Sequence, residues 1–244
     1  MRWLKATWRK IKRFFEPPPP PPPIEEPPPP PEEEPPPPAS VRDRCLDMSN
    51  YWLPGPISDQ DAHQRMQLAK DQGFTGIIAG TQVPSLCNQQ VKAALSVGMW
   101  ADIYHYINWS ISVTDQANTI LYAIEDVRDR VNVVWIDIEE TPPNGWSHTD
   151  VLDFISRMVF HLWNHGCIVG IYTSHYKWNS FTGNSDTFNH LMLWPTEYDE
   201  DPPFDASWWA RKNFGGWEAP TWVQFAENAN VAGMNVDLNE RYIA

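Results

Sequence analysis

The chain reads as one α/β barrel, a parallel sheet closed or nearly so, preceded by a basic helix and a proline-rich arm. Three observations carry this reading. After residue 40, short apolar runs alternate with helical stretches, which is the pattern of repeated βα units. In the last third the apolar runs continue, but the helical spacing fades. The first 40 residues differ from everything after them: sixteen of the 25 prolines lie between Pro17 and Pro38, interrupted only by Ile24 and five glutamates. No core can form there, and the roughly 200 residues that remain suffice for a single barrel.

Taken in order, residues 1–16 form an amphipathic helix at about 100° per residue. Leu4, Trp8, Ile11 and Phe15 fall on one side, flanked by Trp3 and Phe14. Arg2, Lys5, Arg9, Lys12 and Arg13 fall on the other. Aromatics opposite Lys/Arg suit a helix lying in a membrane interface; a groove on a carrier protein is the other occupant that fits. Residues 17–40 form an extended polyproline linker, which spans about 70 Å over its 22 proline-rich positions at full extension.

Residues 41–244 make the barrel domain. Strands are expected at 45–48, 76–79, 99–107, 131–138 and 167–172, with helices at 59–72, 88–96, 115–130 and 149–165. Gly98 and Gly166 close two of those helices, and the run 131–138 has the continuous β-branched character of a strand buried on both faces. Apolar runs at 191–194, 222–225 and 235–238 follow, with no helix expected between them.

Charge narrows the function. The net charge is −13, and the tail (+5) and the arm (−5) cancel, so the domain alone carries −13. An acidic body repels a nucleic-acid backbone, and no nucleic-acid partner is expected. Cys45, Cys87 and Cys167 have no disulfide or metal spacing and read as buried small hydrophobes. The basic N-terminus lacks the apolar stretch and small-residue site of a cleavable signal peptide.

The chemistry is carried by acids at strand ends, where barrels keep their functional groups. Asp47 ends the first strand, Asp137 and Glu139 the fourth, and Asp237 the last. Asp137 and Glu139 are two apart and point the same way. Two carboxylates that close cannot both ionise freely, so one is raised into the range of an acid, as glycoside hydrolysis requires. A divalent-metal site is the competing use of the same acids. No histidine joins them at ligand spacing, and His161 and His165 lack the glutamate of a zinc-protease helix. Twelve tryptophans follow residue 40, among them Trp52, Trp109, Trp178, Trp194 and Trp222, with Tyr104, Tyr106, Tyr172 and Tyr198 nearby. Flat rings of this kind suit pyranose faces.

The order of motifs resembles glycoside hydrolase family 25 lysozymes. The segments are Leu46-Asp47-Met48-Ser49, Ile103-Tyr104-His105-Tyr106, Trp135-Ile136-Asp137-Ile138-Glu139 and Gly170-Ile171-Tyr172-Thr173-Ser174, then Leu193-Trp194-Pro195-Thr196-Glu197-Tyr198 and Gln224-Phe225 through Asn235-Val236-Asp237-Leu238-Asn239. The resemblance implies a modified barrel of about eight strands with fewer helices, and cleavage of the β-1,4 bond between N-acetylmuramic acid and N-acetylglucosamine in peptidoglycan, without a cofactor. It assigns Glu139 as general acid, with Asp137 positioning the acetamido group or stabilising charge, and Asp47 and Asp237 tuning those two. Tyr104, Tyr106, Tyr172, Trp194, Tyr198 and Gln224 become the sugar-contacting positions. It also implies action at the bacterial cell wall, as by a phage lysis or virion-associated enzyme. A hydrolase of another N-acetylhexosamine polymer, and a non-catalytic glycan-binding barrel that anchors an assembly, are the competing readings.

Overall fold

The computed structural model describes residues 43–49 and 57–243. The tail helix, the proline linker and Trp52 lie outside the described residues. The described residues belong to a unit spanning Ala39–Ala244.

Eight strands form one curled sheet: β1 Arg44–Met48, β2 Gly76–Gly80, β3 Trp100–Tyr106, β4 Val131–Asp137, β5 Val169–Thr173, β6 Met192–Pro195, β7 Trp222–Val231 and β8 Met234–Arg241. Their order is β6-β5-β4-β3-β2-β1-β8-β7. The pairs from β1 to β6 are all parallel, whereas β8 runs antiparallel to both β1 and β7. The sheet is therefore mixed where an all-parallel one was expected, and β8 is the reversed strand. Its two ends meet just past β6, where Thr196 bridges Gln224 in parallel. There the Glu197 N–H donates to the Gln224 carbonyl at 2.8 Å, and the Thr221 N–H donates to that of Leu193 at 2.7 Å.

Helices α1 Asp59–Asp71, α2 Pro84–Ser96, α3 Val113–Ala123, α4 His148–Asn164, α5 His175–Thr182 and α6 Ala206–Lys212 connect the strands. Serine caps start α1, α3, α4 and α5: Ser58, Ser112, Ser147 and Ser174 each accept an amide N–H of the first turn. On α4, Val151, Phe154, Ile155, Met158, Val159 and Leu162 make the buried stripe that periodicity anticipated. Cys45, Cys87 and Cys167 are free and buried, as small hydrophobes would be.

Three expectations are corrected. The helix expected through residue 130 stops at Ala123. Apolar spacing does continue, since Ile124 and Val127 are buried, but the Ala123 carbonyl accepts from Asn88 Nδ2 at 3.1 Å and the Val127 amide turns back to Ile124. Second, α6 lies between β6 and β7, where no helix was expected. Seven residues are too short for a period to register, and the surviving signal is Asp205, whose side chain accepts from the amides of Ser207 and Trp208. Third, the two late strands, of ten and eight residues, are at least twice the length anticipated. They form a hairpin through Ala232 (φ 52) and Gly233 (φ 76), a left-handed pair of the type tight hairpins require. Arg65 Nη1 holds that turn by donating to the Ala232 carbonyl at 2.8 Å.

One sheet face packs against the helices and carries the larger core. The enclosed face is filled by Cys45, Ile78, Val133, Trp135, Tyr172, Trp194 and Trp222, with Trp100, Tyr104 and Met192 against them. Glycine makes room for these rings. A Cβ at Gly170 would lie 2.4 Å from ring carbons of Trp135, and one at Gly76 would lie 2.1 Å from Trp100. Trp135 has nowhere to retreat, being fully buried with its Nε1 donating to Asp102 at 2.9 Å. Gly170→Ala should therefore lower the free energy of unfolding by about 1–3 kcal/mol through overpacking. Urea denaturation of the variant measures this, and an unchanged midpoint would show that the interior yields more readily than its contacts imply.

Candidate active site

Six strands deliver side chains to one mouth. Asp47 lies near the end of β1, Tyr104 and Tyr106 on β3, Asp137 at the end of β4 and Tyr172 on β5, with Gln224 on β7 and Asp237 on β8. Residues paired across neighbouring strands share a face. Tyr106 pairs with Asp137, and Asp137 with Tyr172, while Asp47 pairs with Asp237. Asp237 was expected at the end of a parallel strand. It sits instead in the first half of β8, and reaches the mouth because that strand is reversed.

The centre of the arrangement is the Gln224 side chain, 2% exposed. Its Oε1 accepts from the hydroxyls of Tyr172 and Tyr198, each at 2.5 Å. Its Nε2 donates to Asp47 Oδ2 at 2.8 Å and to Asp237 Oδ2 at 3.2 Å. The second oxygen of Asp237 accepts the Asn228 N–H at 2.8 Å. Asn228 has φ 56 and lies where β7 bulges between Gln224 and Ala229. The Oδ1 atoms of Asp47 and Asp137 are buried without a hydrogen-bond partner among the described residues.

All four acids are held above the ordinary carboxylate range. Burial is the main cause for Asp47, reinforced by the charges of Asp237 and Glu139 and opposed by the Gln224 hydrogen bond. Burial likewise raises Asp137, followed by Glu139 and Asp47, with Lys177 opposing. Glu139 is half-buried; desolvation raises it and Glu227 adds to this, while Lys177 pulls it back. Asp237 is raised by burial and Glu227, against the Asn228 hydrogen bond.

The expected sugar contacts divide into two groups. Tyr104 and Tyr106 are half-buried and Tyr198 is 47% exposed, so these three retain exposed surface. Tyr106 donates to Glu140 at 2.8 Å. Tyr172 and Gln224 are buried and bonded to each other. Trp194 is 1% exposed: it packs on Tyr172 at 4.3 Å between centroids and bonds Asn239 through Nε1, supporting the tyrosine wall from behind. Trp109, Trp178 and Trp222 are core residues as well. His161 and His165 stack on α4 at 4.8 Å, and among the described residues no group of three or more His, Cys, Asp or Glu could hold a metal ion.

Two participants escaped the sequence reading. Lys177, in the first turn of α5, donates to the Glu139 carbonyl at 2.9 Å and brings a positive charge to the acids. Glu227 rides the β7 bulge beside Glu139, Asp237 and Tyr198. A serine-to-glycine bracket, Ser174 to Gly183, was the available signal for the helix that carries Lys177. Removing the cation removes an interaction that favours the ionised form, so Lys177→Met should move the carboxyl titration of Glu139, and that of Asp137, further upward. Carbon-13 NMR of the side-chain carboxyls measures both midpoints. Midpoints that stay in place would show that solvent screens Lys177 from the pair.

Comparison with known proteins places the chain. Residues 58–225 match the family model described as Lysozyme-like protein 1. Counting factor 50 of Dictyostelium discoideum is 33% identical over 165 residues, covering 66% of this chain and 54% of that protein. Lysozyme-like protein 5 of Caenorhabditis elegans is 30% identical over 184 residues, covering 70% and 82%. The chain thus spans about half the length of the first of these curated relatives and most of the second. Among solved structures, a family 25 glycosyl hydrolase from Bacillus anthracis superposes with a TM-score of 0.60 over 83% of this chain and 89% of that one, at 17% identity, a likeness of fold. With a modified barrel of this topology and a family match over most of its domain, the chain belongs to the lysozyme-like proteins of glycoside hydrolase family 25.

Proposed function

We propose that the domain is a muramidase, hydrolysing the β-1,4 bond between N-acetylmuramic acid and N-acetylglucosamine in peptidoglycan. The observation that carries this reading is the gathering of Asp47, Asp137, Glu139 and Asp237, drawn from three strands, at one tyrosine-lined mouth. Glycoside hydrolysis needs one carboxyl that is protonated at working pH and reaches the leaving oxygen, and others that stay close to the developing positive charge. Glu139 fits the first role: it is half-exposed and held above its ordinary range. Asp137 fits the second. It is buried beside Glu139 with an Oδ1 that has no partner among the described residues, suited to orienting the acetamido group or stabilising the oxocarbenium-like centre. Asp47 and Asp237 line the same mouth and tune those two. Residues 1–16 would bring the domain to a membrane surface or a carrier, and delivery by a phage particle or lysis system belongs to the same proposal.

The roles separate in a turbidity assay on purified cell walls. Glu139→Gln keeps the shape and removes the proton, so clearing should fall about 10²–10⁴-fold. Asp137→Asn should also lose activity while gaining stability at pH 7. The sign follows from linkage. The folded carboxyl is raised above its unfolded value near 3.8, so ionisation costs folding free energy as pH rises through and above that value. Asparagine escapes the cost, and the gain in Tm should fade as pH falls toward 4. Equal clearing by wild type and both variants would remove the assigned roles. Absence of clearing by wild type on any wall would favour a glycan-binding barrel, and reducing and identifying the new sugar ends would expose a different N-acetylhexosamine substrate.

A further inference from the structure

Gln224 was expected to touch sugar, yet its surroundings leave it no means of doing so. A primary amide has two N–H groups and an oxygen with two lone pairs. Both N–H groups are spent on Asp47 and Asp237, and the oxygen accepts from Tyr172 and Tyr198. Nothing is left over for a ligand, and the side chain is buried. Its main chain is equally committed, since the carbonyl accepts the Glu197 N–H where the two ends of the sheet meet.

We propose that Gln224 is a positioning residue, an amide clamp that fixes Asp47 and Asp237 in one orientation at the mouth and makes no sugar contact. The tyrosines give the clamp its direction. The Tyr172 hydroxyl donates to Oε1, as does that of Tyr198, which Glu227 also engages, and with the oxygen turned to the tyrosines the amino group faces the two carboxylates. A flipped amide would turn its oxygen toward both acids and lose the two N–H bonds to their ionised forms. Held this way, the facing acids of β1 and β8 share a single amino group through their Oδ2 atoms. Both oxygens of Asp237 are then bonded, since Asn228 holds its Oδ1, whereas the buried Oδ1 of Asp47 has no partner among the described residues. The pair is thereby made unequal, and a proton taken up by it settles on Asp47. The groups acting on Asp47 are Asp237, Glu139 and Gln224, with Tyr104, Asp137, Tyr172 and Cys45 also in electrostatic reach.

The clamp rests on the glycosidase reading for its kinetic consequence alone, and the experiment keeps the two apart. In Gln224→Met, kcat on soluble wall fragments should fall about 100-fold while KM stays within about 2-fold, the signature of misplaced groups and not of lost binding. Independently of activity, carbon-13 titration should show the Asp47 carboxyl midpoint moving up, because a hydrogen bond to its ionised form is gone. The double variant Tyr172→Phe with Tyr198→Phe keeps the amide and the core volume but frees it to turn. It should move the same midpoint upward, and it carries the test should Gln224→Met fail to fold. A raised KM at unchanged kcat would identify Gln224 as a sugar contact and overturn the proposal. So would a folded double variant whose Asp47 midpoint is unmoved. If wild type cleaves no glycan but the midpoint shifts as expected, the clamp stands and the glycosidase reading falls.

Discussion

The two ends of the curled sheet are bridged, and its mouth arranged, by the same residue. Through its backbone Gln224 joins β7 to the chain just past β6, and through its side chain it ties β7 to β1, β5, β8 and the segment carrying Tyr198. The way the sheet ends meet and the way the carboxylates point are therefore one constraint. The reversed β8 is part of it, since only an antiparallel partner places Asp237 opposite Asp47 while Arg44 faces Glu240. A shift of one residue in that register would turn Asp237 out of the mouth.

Electrostatics explain why such a mouth is costly and what makes it usable. Several carboxylates are desolvated together, and Lys177 is the opposing cation at Asp137 and Glu139. Burial disfavours the ionised forms, so the cluster holds protons at a pH where free carboxyls have lost them, which is the state an acid catalyst needs. Burial alone does not mark a site. Asp102, deep on the same enclosed face, is also pushed up, to about 7, yet both its oxygens are bonded, to Trp135 Nε1 and the Val133 amide. Asp137 is as deeply buried but has an oxygen with no partner among the described residues. A satisfied buried acid holds the core together, whereas an unsatisfied one is available to a substrate. Glu197 makes the contrast again: it is buried near the mouth, but spent on Lys212 at 2.8 Å.

How much could be read in the sequence follows from the range of the forces involved. The strands from β1 to β5 and the helices α1 and α4 were legible because long apolar periods and serine caps act locally. Helices α5 and α6 were not, being too short for a period and dependent on single capping residues. The hairpin of β7 and β8 turns on Ala232 and Gly233 in place of an asparagine–glycine signal, and its length comes from pairing that no local pattern records. The same division runs through the site. Asp47, Asp137 and Glu139 announced themselves at the ends of legible strands. Lys177 sits on a helix that was itself hidden, and Glu227 on a bulge, a feature set by the partner strand.

The tryptophans show why composition and placement must be argued separately. Their number suggested a sugar-stacking surface, but on the enclosed face Trp135, Trp194 and Trp222 fill the barrel, with Trp100 against Trp222 at 5.1 Å. Glycines are spent to admit two of these rings. An indole carries one N–H, and a single acceptor satisfies it in the interior, as Asp102 does for Trp135 and Asn239 for Trp194. A phenol both donates and accepts, which suits it to a boundary where one side is packed and the other meets a polar ligand. The residues at this mouth are accordingly tyrosines: Tyr104, Tyr106 and Tyr198 partly exposed, and Tyr172 buried on Gln224. What the tryptophans contribute to recognition is rigidity. A wall backed by Trp194 and Trp135 cannot yield, so the tyrosines and acids in front of it keep the one geometry that Gln224 sets.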